Sequence, residues 1–536
     1  MGSTGKIDIA IRNGWLVDGS GDPKRRADVG IVDDRIVEVG RVPAADREID
    51  ATGLIVAPGF VDPHSHSDWT VHTNRDAEST IRQGVTTEIV GNCGITNAPV
   101  SEISLTTVRD RLHAYAYDGP VTWRSFGDYL ADVESGGTAQ NLAYFVGHST
   151  IREAAGVTGG KPTDEELLAM EDYVREAMEA GALGMSSGLE YSLGASATTA
   201  ELQRLSRVVG QFGGIYASHI RNRDAHILES IDEFLSIARD GNAIGEISHL
   251  NVRHDTNAPE RGWERAVEMM TSARDHGYDI QADTTPFLQG VGMMTGILPH
   301  WFLAEGYKVA ATRLKDPLVR SQLRTQCDRY WRFIHKGQWD RVRLQNSPQL
   351  PELNGLYFTE IAHRRQQDIW DSFFDVLEAA GESMGNLIMV GDLFTEQHLA
   401  EMISHPLISL GVDAYTSVDH GPLSKITVSP LPYSGHVHYL THHVRELGTL
   451  SLEEAIRKMS GMPAARFELR GRGLVRQGFF ADLVIFDFET LSTESNFEHP
   501  ARYPHGIPHV IVNGKLAVDQ SERTSARTGR ILRRRR

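Results

Sequence analysis

Short apolar strands that stop at an ionisable residue and then give way to a helix recur through the middle of this chain, and no other feature restricts its fold as much. Gly214-Ile215-Tyr216-Ala217-Ser218 ends in His219, and the next unit, Ala243-Ile244-Gly245-Glu246-Ile247-Ser248, ends in His249. Two neighbouring βα repeats therefore deliver histidine at matching positions, 30 residues apart. Tyr278 to Ala282 leads in the same way to Asp283, and Leu407 to Val412 leads to Asp413. The intervening helices carry their own signals. Thr163-Asp164-Glu165-Glu166 is a capping box, Leu167, Met170, Val174 and Met178 share one face, and Gly181 is the stop. Alternating strands and helices predict parallel βα units, and ionisable groups at the strand ends predict an α/β fold of the (β/α)8 barrel type, whose active site lies at the C-terminal ends of its strands. The barrel is expected from residue 58 to 470.

The flanks read differently. Residues 7 to 57 alternate apolar runs with Asp-Gly and Gly-Asp-Pro turns, and the C-terminal part has strands at Ala481 to Phe486 and around the Asn513-Gly514 turn. Residues 1–57 and 471–536 are thus expected to form one small β-sandwich domain together. A chain of 536 residues, 40% of them hydrophobic, is long enough for a large core and such a side domain.

A net charge of −17 leaves no general basic face for nucleic acid. The one basic run, Arg533 to Arg536, reads as a frayed, solvated tail. Two cysteines, Cys93 and Cys327, exclude a disulfide framework and suit a cytoplasmic protein. Met1 through Ala10 lacks the pattern of a secretory leader, no apolar run is long enough for a membrane span, and no Gly-rich phosphate loop follows a strand, so neither a membrane nor a nucleotide cofactor is expected.

The strongest local signal is the apolar run Leu54 to Val61, which finishes in Asp62-Pro63-His64-Ser65-His66. Residues i and i+2 of a strand share a face, so His64 and His66 can grip one cation through neutral imidazole nitrogens. Alone, His-x-His also fits two polar residues on a loop. Gly84 to Val90 is another apolar strand, with Cys93 between glycines at its end, and thiolate is a strong zinc ligand. A lone cysteine more often fills a small apolar gap. Five strand ends that supply His-x-His, Cys, His, His and Asp in order carry the metal reading that no single one of them carries.

With these residues the sequence resembles the amidohydrolase superfamily and, within it, the D-aminoacylase or N-acyl-D-amino-acid deacylase group. The match includes Gly91-Asn92-Cys93-Gly94, Ser186-Ser187-Gly188-Leu189-Glu190-Tyr191, Tyr216 to Arg221, and Asn496 to Leu516, and it extends over nearly the whole length. The resemblance implies that Cys93, His219 and His249 hold a tightly bound Zn2+, that His64, His66 and Asp413 form a second, weaker site, and that Asp413 is the proton shuttle. Asp413 could otherwise cap the turn that follows its strand. The implied reaction is hydrolysis of an amide C–N bond by metal-activated water.

On the substrate side the sequence departs from that group. D-aminoacylases hold a substrate carboxylate with a Lys, an Arg and a Tyr, where this chain has Asn251, Leu431 and Thr285. A small neutral N-acyl compound with an aromatic amine or acyl part is therefore expected, with Arg221 or Arg253 as substitute cations if the substrate is acidic. Trp69, Glu190, Tyr191 and Phe287 complete the candidate substrate contacts. Residues 287 to 370 are rich in aromatic rings, among them Trp301, Trp331, Trp339 and Trp370. As a group they suit a lid or pocket wall, while each ring alone reads as helix core. A cyclic amide, carbamate, lactone or deaminase substrate remains open, as does the choice between a monomer and a homo-oligomer. A scaffold without chemistry would show broken ligands, and none is broken here.

Overall fold

The computed structural model describes residues 6–157, 159–327 and 331–534. Part of the segment read for a leader, residues 1–5, and Arg535 and Arg536 lie outside them. Eight parallel strands follow one another around a barrel: β1 (Phe60–Asp62), β2 (Val85–Val90), β3 (Asn141–Gly147), β4 (Gly184–Gly188), β5 (Ile215–His219), β6 (Ile244–Ile247), β7 (Ile280–Thr284) and β8 (Ile408–Leu410). Every residue of β2, β3, β4 and β5 is buried, as expected of parallel strands covered on both faces. The ring closes just beyond β8 and β1, where the Asp413 N–H donates to the His64 carbonyl at 2.9 Å and the His66 N–H to that of Ala414 at 2.7 Å. Closure therefore occurs through the chemically interesting residues themselves. In β5 and β6, Ser218 is paired with Ile247, so His219 and His249 leave the sheet close together.

Both ends of the chain contribute to one seven-stranded sheet, joined where Leu483–Phe486 runs antiparallel to Ile55–Pro58. A four-stranded sheet from the N-terminal residues packs against it through Ile9, Ile11, Val29, Ile31, Leu483 and Ile511. Ile55–Pro58 passes directly into β1, so the first metal-type histidines follow a segment clamped by the C-terminal strand.

Two expectations need correction. The C-terminus is not frayed up to Arg534: Ile531 and Leu532 pair in parallel with Leu142 and Ala143 of β3, Arg533 pairs with Glu134, and Arg534 with Glu468. Burial of Ile531 and these ion pairs hold the basic segment down. The aromatic region is not a lid of exposed rings. It belongs to an inserted unit with its own antiparallel sheet, Gln289–Met293, Ile388–Asp392 and Val342–Asn346, and Trp331, Phe333, Trp339, Phe358, Phe373 and Phe374 form its core. Burying each ring stabilises by about 1.5–3 kcal/mol, which is why they face inward. Trp301 differs, at 43% exposed. Among the described residues no helix is long and apolar enough to cross a membrane.

Candidate metal centre

At the C-terminal mouth of the barrel the Cys93 Sγ is enclosed by imidazole nitrogens: His64 Nε2 at 3.4 Å, His249 Nε2 at 3.5 Å and His219 Nδ1 at 3.9 Å. Asp413 closes the set, with Oδ1 at 3.1 Å from His66 Nε2 and 3.5 Å from His64 Nε2, and Oδ2 at 4.0 Å from His249 Nε2. Donors at about 2.0–2.3 Å around a tetrahedral ion stand about 3.3–3.8 Å from one another, so these separations fit an ion between them. The groups His64, His66, Cys93, Asp413 and Cys93, His219, His249 each bring their ligand atoms within 4.8 Å of one another, with the thiol common to both.

The electrostatics agree with a cation site. Burial alone would raise the Cys93 thiol, but His64 and His249 beside it hold it well below the usual thiol range. Burial opposes ionisation of Asp413 as well, and His249, His64 and His66 outweigh it. His249 is kept neutral, near 4, by burial and then by the Arg223 guanidinium. Burial would lower His64 and His66, but the neighbouring carboxylates and the Cys93 thiolate raise both, His66 to about 9, so a metal there takes the place of a proton.

Three of the six donors sit on left-handed backbone: Cys93 at φ 53°, His249 at φ 36° and Asp413 at φ 57°. Such a conformation costs a non-glycine residue of order 1–3 kcal/mol and concentrates at functional sites. The turn at Cys93 is also enforced from outside, because any side chain at Gly188 would strike the Cys93 carbonyl. That contact explains the glycine after Ser186-Ser187.

Around the donors lies a layer of positioning groups. Asp283 accepts from the His249 N–H at 2.9 Å through Oδ1, and its Oδ2 is 3.3 Å from His64 Nδ1. Glu190 Oε2 is 2.7 Å from His219 Nε2. Its carboxylate is buried, which would raise it, but Arg253, His219 and Arg223 hold it well below the ordinary range. Asp283 was legible in the sequence only as an acid at a strand end; its position one strand from His249, level with His64, gives it partners. Arg223, which no motif marked, donates to the His249 carbonyl, with its Nη1 3.0 Å from His249 Nδ1.

The expected substrate contacts divide. Trp69 stacks on His66 at 4.2 Å, Tyr115 lies 5.2 Å from Trp69, and Tyr415 lies 5.3 Å from Tyr115, so three rings wall one side of the donor set. Tyr191 OH is 3.0 Å from His219 Nδ1. The others are engaged elsewhere. Glu190 braces His219. Arg221 is spent on Glu233 and the carbonyls of Ala195 and Ala197, in the wall of a cleft of about 660 Å3 beside Glu190. Arg253 is buried against Glu190 and Asp224. Asn251 Nδ2 donates to the His249 carbonyl, Leu431 lies in the core, and Phe287 stacks on His438. The buried Arg253 needs its carboxylate partners, and Arg221, about a third exposed, is already paired with Glu233.

A parallel barrel with a thiol, four imidazoles and a carboxylate converging at its C-terminal mouth defines a metal-dependent barrel hydrolase. The chain belongs to the amidohydrolase family, whose sequence profile matches residues 47–295 and 396–518 and passes over the inserted unit. It is 33% identical over 529 residues to the D-aminoacylase of Alcaligenes xylosoxydans xylosoxydans, covering 98% of this chain and 97% of that protein. It is similar to the N-acyl-D-glutamate deacylase of Bordetella bronchiseptica, solved with zinc and a phosphonate mimic of the tetrahedral intermediate: 28% identity, TM-score 0.81, 99% of this chain and 100% of that one. A D-aminoacylase structure that describes a binuclear metal centre matches at 29% identity and TM-score 0.80, over 98% of this chain and 100% of that one.

Proposed function

We propose that this protein is a zinc-dependent amidase that cleaves the C–N bond of a small N-acyl compound whose amine part carries no carboxylate. The observation that carries the reading is the Cys93 thiol enclosed by three imidazoles, with Asp413 at the open side. A sulfur, nitrogen and oxygen donor set suits zinc, with Cys93, His219 and His249 as the tight ligands and His64, His66 and Asp413 completing a weaker second position. When bound, the ion supplies Lewis acidity toward the substrate carbonyl and a water molecule. Asp413, one third exposed and the most open member of the set, takes a proton from the attacking water and returns it to the amine nitrogen as the C–N bond breaks. The products are a carboxylic acid and a free amine. Tyr191 OH points at the same space, and Trp69, Tyr115 and Tyr415 offer an apolar wall to an aromatic acyl or amine group.

The second reading, an N-acyl-D-amino-acid deacylase, is favoured by the similarity to D-aminoacylase. Against it stand Asn251, Thr285 and Leu431 in place of the clamp and the engagement of Arg221, Arg223 and Arg253 with carboxylates. A charge-assisted hydrogen bond contributes about 1.5–3 kcal/mol, so losing two cations disfavours an acidic substrate by about a hundredfold or more. Comparing kcat/KM for N-acetyl arylamines with N-acetyl-D-amino acids checks this. The neutral amides should be preferred; faster turnover of N-acetyl-D-amino acids makes the second reading the right one.

Asp283→Asn tests the ligand geometry without touching a donor. The amide cannot accept from both the His249 N–H and the His64 ring, so zinc affinity should fall about ten- to a hundredfold in chelator competition.

A further inference from the structure

A second group of ligand-type side chains gathers where the inserted unit joins the barrel. Glu396, His442 and His443 bring ligand atoms within 4.8 Å of one another. The histidines lie on Tyr439–Glu446, which is wound as a π-helix, a rare form frequent at functional sites. His442 Nδ1 is 3.0 Å from the Glu446 carboxylate and Nε2 is 3.2 Å from Glu396 Oε1. A neutral ring can donate to only one of these carboxylates, so a cation or a second proton has to satisfy the other. His443 Nε2 donates to the Pro286 carbonyl at 2.8 Å, while its Nδ1, in a fully buried side chain, has no partner. Imidazoles that ligate metals are oriented in this way, with the outer N–H held by a carboxylate or carbonyl and the other nitrogen open.

A third imidazole adjoins the pair. His438 stacks 4.9 Å from His442 and lies 5.6 Å from His443. Glu446, Glu396 and the Pro286 carbonyl are the groups that face the pair from other turns and elements.

The position in the chain adds a role. Pro286 and Phe287 lead into the inserted unit, Phe287 stacks on His438 at 4.2 Å, and Glu396 opens the helix that leaves the unit. Both stems therefore meet at this π-helix. We infer that Glu396, His442 and His443 form a separate site for a divalent transition ion, zinc being suited to two imidazoles and a carboxylate, and that the ion staples both stems of the inserted unit to the helix that follows β8. Glu396 is half exposed and His442 a quarter exposed, so the ion enters from solvent rather than through the barrel.

The test uses the full-length enzyme as purified and zinc alone as the probe. Equilibrium dialysis followed by elemental analysis should find one more zinc per chain in wild type than in Glu396→Gln or His442→Ala, both at solvent-reachable positions that leave the fold intact. Amide hydrolysis by the two variants should match wild type. Cys93→Ala should keep the extra equivalent, which separates this site from the barrel centre. Added zinc should slow proteolysis within residues 296–395 in wild type and not in the two variants. Equal zinc in wild type and both variants overturns the site, and zinc-independent proteolysis of wild type overturns the staple.

Discussion

Cys93→Ala is expected to lose tightly bound zinc and amide hydrolysis together, with activity down about a thousandfold or more, equivalent to about 4 kcal/mol of transition-state stabilisation. The thiol is the hub of the donor set, within 3.9 Å of nitrogens from three different strand ends, and it is the member that belongs to both ligand groups. Removing it leaves four imidazoles with one carboxylate, that of Asp413, as the donor set. Cys93→Asp should recover part of the metal, because a carboxylate is a weaker ligand of the same charge. Cys327 provides the control. It is buried in the inserted unit's core, far from these donors in the contact network, so Cys327→Ala should keep full metal content and activity. Elemental analysis beside a single hydrolysis assay reads all three variants. Full zinc content in Cys93→Ala would remove the thiol from the centre and the proposed chemistry with it.

How much of this was legible in the sequence follows from how each feature is encoded. The donors were readable because a parallel barrel sends every strand in the same direction, so a residue just past an apolar run is at the mouth whatever its partner. His219 and His249 needed no knowledge of contacts; their equivalent places in consecutive repeats sufficed. The second layer was not readable in that way. Glu190 sits in a motif and invites a substrate role, yet its carboxylate braces His219, and Arg221 is drawn off by Glu233, within the helix that follows its strand. Such pairings depend on which side of a loop each side chain leaves. The inserted unit shows the same limit at larger scale. Its aromatic composition was visible from residue 287, but its last strand, Ile388–Asp392, pairs with Gln289–Met293 across about a hundred residues, and no local pattern announces that partner. The C-terminal arginines looked solvated because their carboxylates, Glu134 and Glu468, are distant in sequence.

Asp413→Asn separates the two tasks assigned to this residue. As proton shuttle, Asp413 should account for a factor of about 100 to 10,000 in kcat. As a ligand it belongs, on the proposed assignment, to the weaker group, with Cys93, His219 and His249 holding the tight ion. The variant should therefore retain the tight zinc equivalent while kcat collapses and KM changes little. An asparagine keeps the shape and the left-handed backbone at φ 57°, which Asn tolerates better than most residues, so the fold is not expected to suffer. The leaving group gives a sharper readout. An anilide with a strongly electron-withdrawing ring departs without prior protonation, whereas an alkyl amide does not, so Asp413→Asn should impair the alkyl amide far more than the activated anilide. Equal loss on both substrates with zinc retained would assign Asp413 to water activation alone and leave the amine to another acid, with Tyr191 OH, 3.0 Å from His219 Nδ1, the group already in place.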